Sequence, residues 1–159
     1  MLKGYIEGYY GRLFSQEERS LLLRHMGKLK MDFYLYGPKE DPYHRVLWEK
    51  PYPSKYEKVL EDFVKQSKKN KIRPVFAISP GLKGNKSTAH YRKFLAIKIK
   101  QAKRLGFEEF AIFFDDIDHK RDEGLATKHL EILELVSSFN IPANDLWICP
   151  TVYCKSFAK

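Results

Sequence analysis

The sequence predicts an α/β fold in which helices cover a parallel sheet. Short apolar stretches alternate with longer stretches of helical spacing, and this order repeats four times before a final strand. The short stretches are apolar on both faces, as is typical of parallel strands buried between two layers. Either an open doubly wound sheet or part of a (β/α)8 barrel fits this order. A complete barrel needs about 250 residues, whereas this chain has 159.

Five strands and four helices follow from the pattern. The strands are predicted at residues 4–8, 32–36, 73–79 and 109–114, with a fifth beginning at 146–149. The helices are predicted to begin at or near residues 15, 54, 88 and 123. Ser15 with Glu18, and Ser54 with Glu57, have the spacing of capping boxes. A proline-rich loop, residues 37–53, separates the second strand from the second helix.

Composition excludes several classes of protein. Apolar residues make up 43% of the chain, which argues against general disorder. Two cysteines are too few for a disulfide scaffold or a four-ligand zinc site. The N-terminus lacks the apolar segment of a signal peptide, and the longest apolar runs are about as long as residues 110–114, so we expect no membrane span. These features favour the reducing cytoplasm.

The net charge of +9 raises nucleic acid as a partner. The lysines are spread along the chain, however, and the densest group, residues 65–71, lies near the end of a predicted helix, where cations complement the helix dipole. The sequence contains no helix-turn-helix, zinc-finger or RRM signature. We therefore expect no nucleic-acid partner.

Candidate chemistry gathers where the predicted strands end, which is where parallel α/β folds build their sites. Asp115 and Asp116 directly follow the apolar fourth strand. Two carboxylates so close cannot both ionise cheaply, so one pKa should rise, as a general acid near neutral pH requires. Helix capping or loop hydrogen bonding is an alternative role for the pair. A metal site formed with Asp118 and His119 is another.

Three further residues at these strand ends could contact a ligand, and each also has a structural explanation. Lys39 stands in a loop and could reach a substrate hydroxyl, or could be an ordinary surface lysine. Tyr153 could stack on or hydrogen-bond to a sugar, or could anchor the fifth strand. Gly8 could simply permit a tight turn.

Taken together, the strand-end motifs resemble those of glycoside hydrolase family 84, which contains the O-GlcNAcases and the hyaluronidase-type β-N-acetylglucosaminidases. Five ordered stretches carry the resemblance: EGYYGR (7–12), YLYGPKEDPYHR (34–45), AISPG (77–81), FDDI (114–117) and CPTVYC (149–154). The resemblance covers the whole chain. It implies a partial (β/α)8 TIM barrel, with four β/α units and a fifth strand forming a single catalytic half-barrel domain over residues 1–159.

The resemblance also implies an activity, the removal of terminal β-linked N-acetylglucosamine from a glycan or glycoprotein. In this family the substrate's own 2-acetamido oxygen attacks the anomeric carbon, in the substrate-assisted form of retaining catalysis. Asp115 would orient the acetamide, and Asp116 would be the general acid and then the base. Gly8, Lys39 and Tyr153 would bind the sugar. We expect no cofactor and no metal ion.

The sequence departs from the family pattern at Gly37, where alanine is usual, and at Val152, where glutamate is usual. Later strands of the family supply an Asn, an Asp and a Trp that hold the sugar, and this chain stops before them. We therefore expect weak or absent activity, and an exposed apolar inner face. A homodimer, or a missing C-terminal half, would complete the barrel. The competing hypothesis is a non-catalytic sugar-binding or interaction module built from half a barrel.

Overall fold

The computed structural model describes residues 1–80, 86–115 and 124–152 of the chain. The predicted order of strands and helices is confirmed. The strands are β1 (Gly4–Glu7), β2 (Phe33–Tyr36), β3 (Arg73–Ile78), β4 (Glu109–Phe113) and β5 (Leu146–Cys149). The helices are α1 (Gln16–Lys28), α2 (Ser54–Lys69), α3 (Thr88–Arg104) and α4 (Leu125–Ser137), and a 3-10 turn at Ala143–Asp145 precedes β5.

The five strands form one parallel sheet in the order β1-β2-β3-β4-β5. An open doubly wound sheet would place a switch point in this order, and the described sheet has none. The arrangement is therefore half of a (β/α)8 barrel. Because all strands run the same way, their carboxyl ends meet at one rim, which carries the candidate site.

Two apolar clusters cover the two faces of the sheet. The larger lies between the sheet and the helices and is rich in aromatic rings. In it, Tyr34 of β2 packs edge-on against Phe63 of α2, with ring centroids 4.9 Å apart. Among the described residues, no helix combines the length and the apolar character needed to cross a membrane.

The second cluster fills the inner face of the arc. Six of its side chains are buried: Phe33, Leu35, Val75, Ala77, Ala111 and Phe113. The expectation of an exposed apolar inner face is therefore wrong for the three central strands. The sheet curves tightly enough for these side chains, with Trp147 and Cys149 of β5, to cover one another. At the β1 edge Ile6 is 53% exposed, so the expectation holds there.

One predicted capping box forms and the other does not. Ser15 accepts a hydrogen bond from the Glu18 backbone, and the Glu18 carboxylate accepts one from the Ser15 backbone. At α2 the N-cap is Pro53, one residue before the predicted Ser54, and no side chain caps the helix. With Pro53 as the N-cap, Ser54 is the first helical residue and Glu57 the fourth, so the two no longer have the spacing of a capping box. The Glu57 carboxylate instead accepts from Gln101 and Arg104 of α3.

Candidate active site

An ion pair lies at the centre of the rim. The Lys39 ammonium, in the loop after β2, donates to Asp115 Oδ2 at 2.7 Å, across 76 residues of sequence. The Lys39 side chain is 4% exposed and that of Asp115 is 20% exposed, so the carboxylate faces outward and the lysine supports it from within. β4 ends at Phe113, and Asp115 stands in a turn. The chain therefore leaves strand geometry just before the aspartate pair.

The ring of Phe113 forms the floor beneath this pair. The Lys39 ammonium lies 5.7 Å from the ring centroid. A Cβ atom placed on Gly8 would lie 3.9 Å from Phe113 Cε2, and one placed on Gly37 would lie 3.0 Å from the same atom. The structure therefore places Gly8 and Lys39 beside one aromatic ring, and Asp115 joins them through its ion pair with Lys39.

Tyr10 and Arg45 form one wall of the cleft. Arg45 donates to the Tyr10 hydroxyl at 3.0 Å, and its guanidinium lies 5.4 Å from the centroid of that ring. The Lys39 ammonium approaches the same ring at 5.9 Å. Tyr10 is largely exposed, so a flat aromatic surface stands beside the ion pair, open to solvent.

The loop after β2, residues 37–53, is termed the strap because it reaches across to α3. Gln101 of α3 accepts from the Tyr52 backbone N–H at 2.8 Å and donates to the Tyr52 carbonyl at 2.9 Å. Lys98 of α3 is buried, donates to the Lys50 carbonyl and lies 4.5 Å from the Tyr52 ring centroid. Burial lowers the pKa of Lys98 to about 7, against the opposing charge of Asp41.

A second set of contacts fixes the end of β4 to the end of β5. The Thr151 hydroxyl donates to the Phe114 carbonyl at 2.6 Å, and His129 Nε2 of α4 lies 3.2 Å from that hydroxyl. The His129 ring stacks on Phe114, with centroids 3.9 Å apart. These contacts hold the backbone immediately before Asp115. Sequence reasoning missed His129 and Thr151, whose pairing depends on tertiary proximity.

Glu7 opens one of the strand-end motifs, but its side chain faces the helices. Its carboxylate accepts from Arg19 Nε at 3.0 Å, from Arg19 Nη2 at 2.7 Å and from the Tyr34 hydroxyl at 2.7 Å. Consecutive residues of a strand point to opposite faces, and Ile6 takes the inner one. Glu7 is therefore part of the structural layer beneath Gly8.

Asp116 and Tyr153, predicted as the general acid and a sugar ligand, lie outside the described residues. Asp118 and His119, weighed as metal ligands together with the aspartate pair, also lie outside them. Within the described part of the chain, no three His, Cys, Asp or Glu side chains are grouped so that they could hold a metal ion. The roles of Asp116 and Tyr153 stay predictions.

Comparison with known proteins adds independent evidence. The sequence model of the β-N-acetylglucosaminidase family matches residues 3–159. Protein O-GlcNAcase from Rattus norvegicus and its counterpart from Mus musculus are each 32% identical over 164 residues, which is 98% of this chain and 18% of those proteins. The chain therefore spans less than a fifth of the length of these relatives.

Solved structures give the same result. The structure of CpGH84B superposes with a TM-score of 0.83 at 33% identity, covering 96% of this chain and 27% of that one. A mutant of the Thermobaculum terrenum O-GlcNAc hydrolase superposes with a TM-score of 0.85 at 29% identity, covering 96% of this chain and 35% of that one. The family match, the half-barrel and the ordered rim motifs agree. This chain belongs to the β-N-acetylglucosaminidase family, glycoside hydrolase family 84.

Proposed function

We propose that the chain carries the acetamide-orienting and acid–base half of a β-N-acetylglucosaminidase site, which removes terminal β-linked N-acetylglucosamine. Asp115 accepts a hydrogen bond from the acetamide N–H of the sugar, and Asp116 protonates the departing oxygen. Lys39, Gly8 and Tyr153 hold the sugar. The reaction is substrate-assisted, so the acetamide oxygen, and no enzyme carboxylate, attacks the anomeric carbon.

The ion pair between Lys39 and Asp115 is the observation that supports this proposal most strongly. An acceptor for an amide N–H must present a carboxylate oxygen in a fixed direction. Lys39 occupies Asp115 Oδ2 at 2.7 Å and thereby fixes the orientation of the carboxylate. The acetamide carbonyl, which is the nucleophile, would then be held near the anomeric carbon.

The rim chemistry also suits a sugar. The Lys39 ammonium lies beside the exposed Tyr10 ring, so a charged donor and a flat apolar surface stand together at the rim. Gly8 brings backbone to the cleft without a side chain to block it. The relatives are named Protein O-GlcNAcase and O-GlcNAc hydrolase, and these names support a GlcNAc-modified protein as the substrate.

The two edge strands of the described sheet are open to pairing with a further strand, and this affects the activity expected of the chain alone. β1 pairs with β2 and β5 with β4, so each edge strand has one paired side in the described sheet. Unpaired strand edges favour pairing with another chain or segment. We therefore propose that a second copy or a further segment completes the barrel, and that the chain alone has low activity. Sedimentation velocity of the purified chain would reveal the self-association, and a stable monomer would contradict the homodimer.

A chromogenic assay tests the proposed reaction. The chain at high concentration should release chromophore slowly from an aryl N-acetyl-β-glucosaminide, and Asp116→Asn should abolish this release. Asp62→Asn is the matched control, since Asp62 is a carboxylate on α2 that contacts Gln16, outside the cleft. Equal release by the wild type and Asp116→Asn would contradict the proposal. Sugar binding without any release would favour the non-catalytic sugar-binding module.

A further inference from the structure

We propose that Asp41 is the positioning residue for Lys39, setting where the lysine ammonium stands in the cleft without itself touching the sugar. The inference rests on the proposed role of Lys39 in binding. The side chain concerned stands two residues further along the strap, and the contacts described for it lie beneath the rim. Asp41 is 1% exposed, so the role must act through the protein interior.

Three hydrogen bonds fix the Asp41 carboxylate. Oδ2 accepts from the Tyr36 hydroxyl at 2.7 Å and from the Tyr52 hydroxyl at 2.8 Å. Oδ1 accepts from the Tyr43 backbone N–H at 2.8 Å. Tyr36 is the last residue of β2, and Tyr52 lies at the far end of the strap. One buried carboxylate therefore ties the strap's beginning and end to the sheet.

The two tyrosine hydroxyls that donate to this carboxylate do not readily lose their protons. Burial, and next the negative charge of Asp41, raise the pKa of Tyr36 and of Tyr52 well above the usual value of 10.0. Both hydroxyls therefore keep their protons under ordinary conditions. A hydrogen bond to a charged acceptor is stronger than one between neutral groups, so the arrangement is rigid.

The turn that carries Lys39 is closed by Asp41 itself. The Asp41 backbone N–H donates to the Pro38 carbonyl at 3.0 Å, so Lys39 is one of the two central residues of a four-residue turn. His44 Nε2 lies 2.7 Å from the same carbonyl and holds the turn from below. Because the turn is fixed at both ends, a shift of Asp41 would move Lys39 away from Asp115.

The need to close a loop does not explain so many buried polar contacts, since a loop can fold without a charged centre. A buried carboxylate is costly unless its hydrogen bonds are satisfied, and here the sequence supplies two tyrosines for that task. Positioning Lys39 does explain the buried carboxylate, because productive binding sites hold their contact groups within a fraction of an ångström.

The test uses Asp41→Asn in the intact chain, with Met26→Ala as the control matched for loss of stability. Asparagine keeps the shape but sets its NH2 group against a donor, so the turn should loosen. Met26 is buried near the end of α1 farthest from the rim, and its truncation should weaken the fold without disturbing the strap. Stability of both variants is measured by urea denaturation, and they are compared under conditions of equal folded fraction.

The first measurement is the rate at which an amine-acylating reagent modifies Lys39 in the folded chain, read by peptide mass spectrometry. Asp41→Asn should raise this rate about tenfold, because local opening exposes the ammonium. Met26→Ala should leave it near the wild-type rate. Protection of Lys39 equal in both variants would overturn the inference and leave Asp41 as a purely stabilising residue.

The second measurement is the affinity for N-acetylglucosamine, which separates this inference from the proposed function. Lys39→Met should lose binding and Asp41→Asn should weaken it, while Met26→Ala binds as the wild type does. If Lys39→Met binds the sugar normally, the proposed role of Lys39 in binding is wrong. The acylation rates then still show whether Asp41 positions Lys39. If Lys39→Met loses binding but Asp41→Asn does not, the positioning role is wrong.

Discussion

Phe33 on β2 and Trp147 on β5 pack ring against ring, with centroids 4.6 Å apart, although β3 and β4 lie between their strands. The contact spans the inside of the arc. Trp147 Nε1 also donates to Glu109 at 2.9 Å, which fixes its ring, and Glu109 is paired with Arg73. The half-barrel thus has an inner core of its own, formed by side chains from strands that are not neighbours.

This inner contact should contribute measurably to stability. Phe33→Ala and Trp147→Ala should each lower the free energy of unfolding by about 3–5 kcal/mol. The double variant should lose less than the sum of the two, with a coupling of about 0.5–1.5 kcal/mol. Urea denaturation of the four proteins measures this coupling. Strictly additive losses would mean that the two rings do not support each other.

Gly37 should not tolerate the alanine that is usual in the family. A Cβ there would lie 2.8 Å from the Ala77 Cβ and 3.0 Å from Phe113 Cε2, both closer than ordinary contacts. Overpacking of this kind costs about 1–3 kcal/mol, so Gly37→Ala should unfold at lower urea concentration. Ala77→Gly removes the closer of the two contacts, and the pair should lose less stability than the sum of the single changes. An unchanged midpoint for Gly37→Ala would contradict the tight packing of the floor.

The stability of the chain should rise with pH through Lys98. Burial lowers the pKa of Lys98 from its usual 10.5 to about 7 in the folded chain. Between these two values the unfolded chain binds more protons than the folded one, so raising the pH favours folding. From pH 7 to pH 9 the wild type should gain about 2 kcal/mol relative to Lys98→Met. A difference that is constant with pH would show that Lys98 stays charged against the Lys50 carbonyl and the Tyr52 ring.

Removing one partner of the buried pair of Glu7 and Arg19 should destabilise the chain more than replacing both. Arg19→Met leaves the Glu7 carboxylate buried with the Tyr34 hydroxyl as its remaining partner among the contacts described, and should cost about 3–5 kcal/mol. Replacing both residues, as Glu7→Gln with Arg19→Met, should cost less than the single change, because no charge is then left buried. Thermal unfolding compares the variants. A larger loss for the double variant than for Arg19→Met would contradict this interpretation.

The pattern of the sequence was sufficient for the succession of strands and helices, because apolar stretches and helical spacing are local signals. The pattern alone fitted both a doubly wound sheet and part of a barrel, and the half-barrel was expected from the family resemblance. The Ser15 capping box was also predictable, since it uses residues three apart. The capping box predicted at Ser54 does not form because the helix is capped one residue earlier, at Pro53, and Glu57 bonds to α3, a contact between residues far apart in sequence. The buried inner face was missed for the same reason, since it depends on how far the arc curves.

In the candidate site, too, residues marked by local sequence signals were predictable, and residues whose role depends on tertiary contacts were not. Lys39 and Asp115 could be singled out because they stand at strand ends, and their motifs resemble those of a known family. Asp41 lies in the same motif, but its function depends on Tyr36 and Tyr52 meeting it in space. A polar residue inside a proline-rich loop carries no signal that it is buried.

The most direct test of the central claim, that this rim is a site for N-acetylglucosamine, is a titration followed by nitrogen–proton NMR. The backbone amide signals of Gly8, Lys39 and Asp115 should shift together on addition of the sugar at millimolar concentrations and should fit one dissociation constant. Glucose, which lacks the acetamide, should produce much smaller shifts, and Lys39→Met should abolish the response. Unchanged rim signals, or identical responses to the two sugars, would contradict the account.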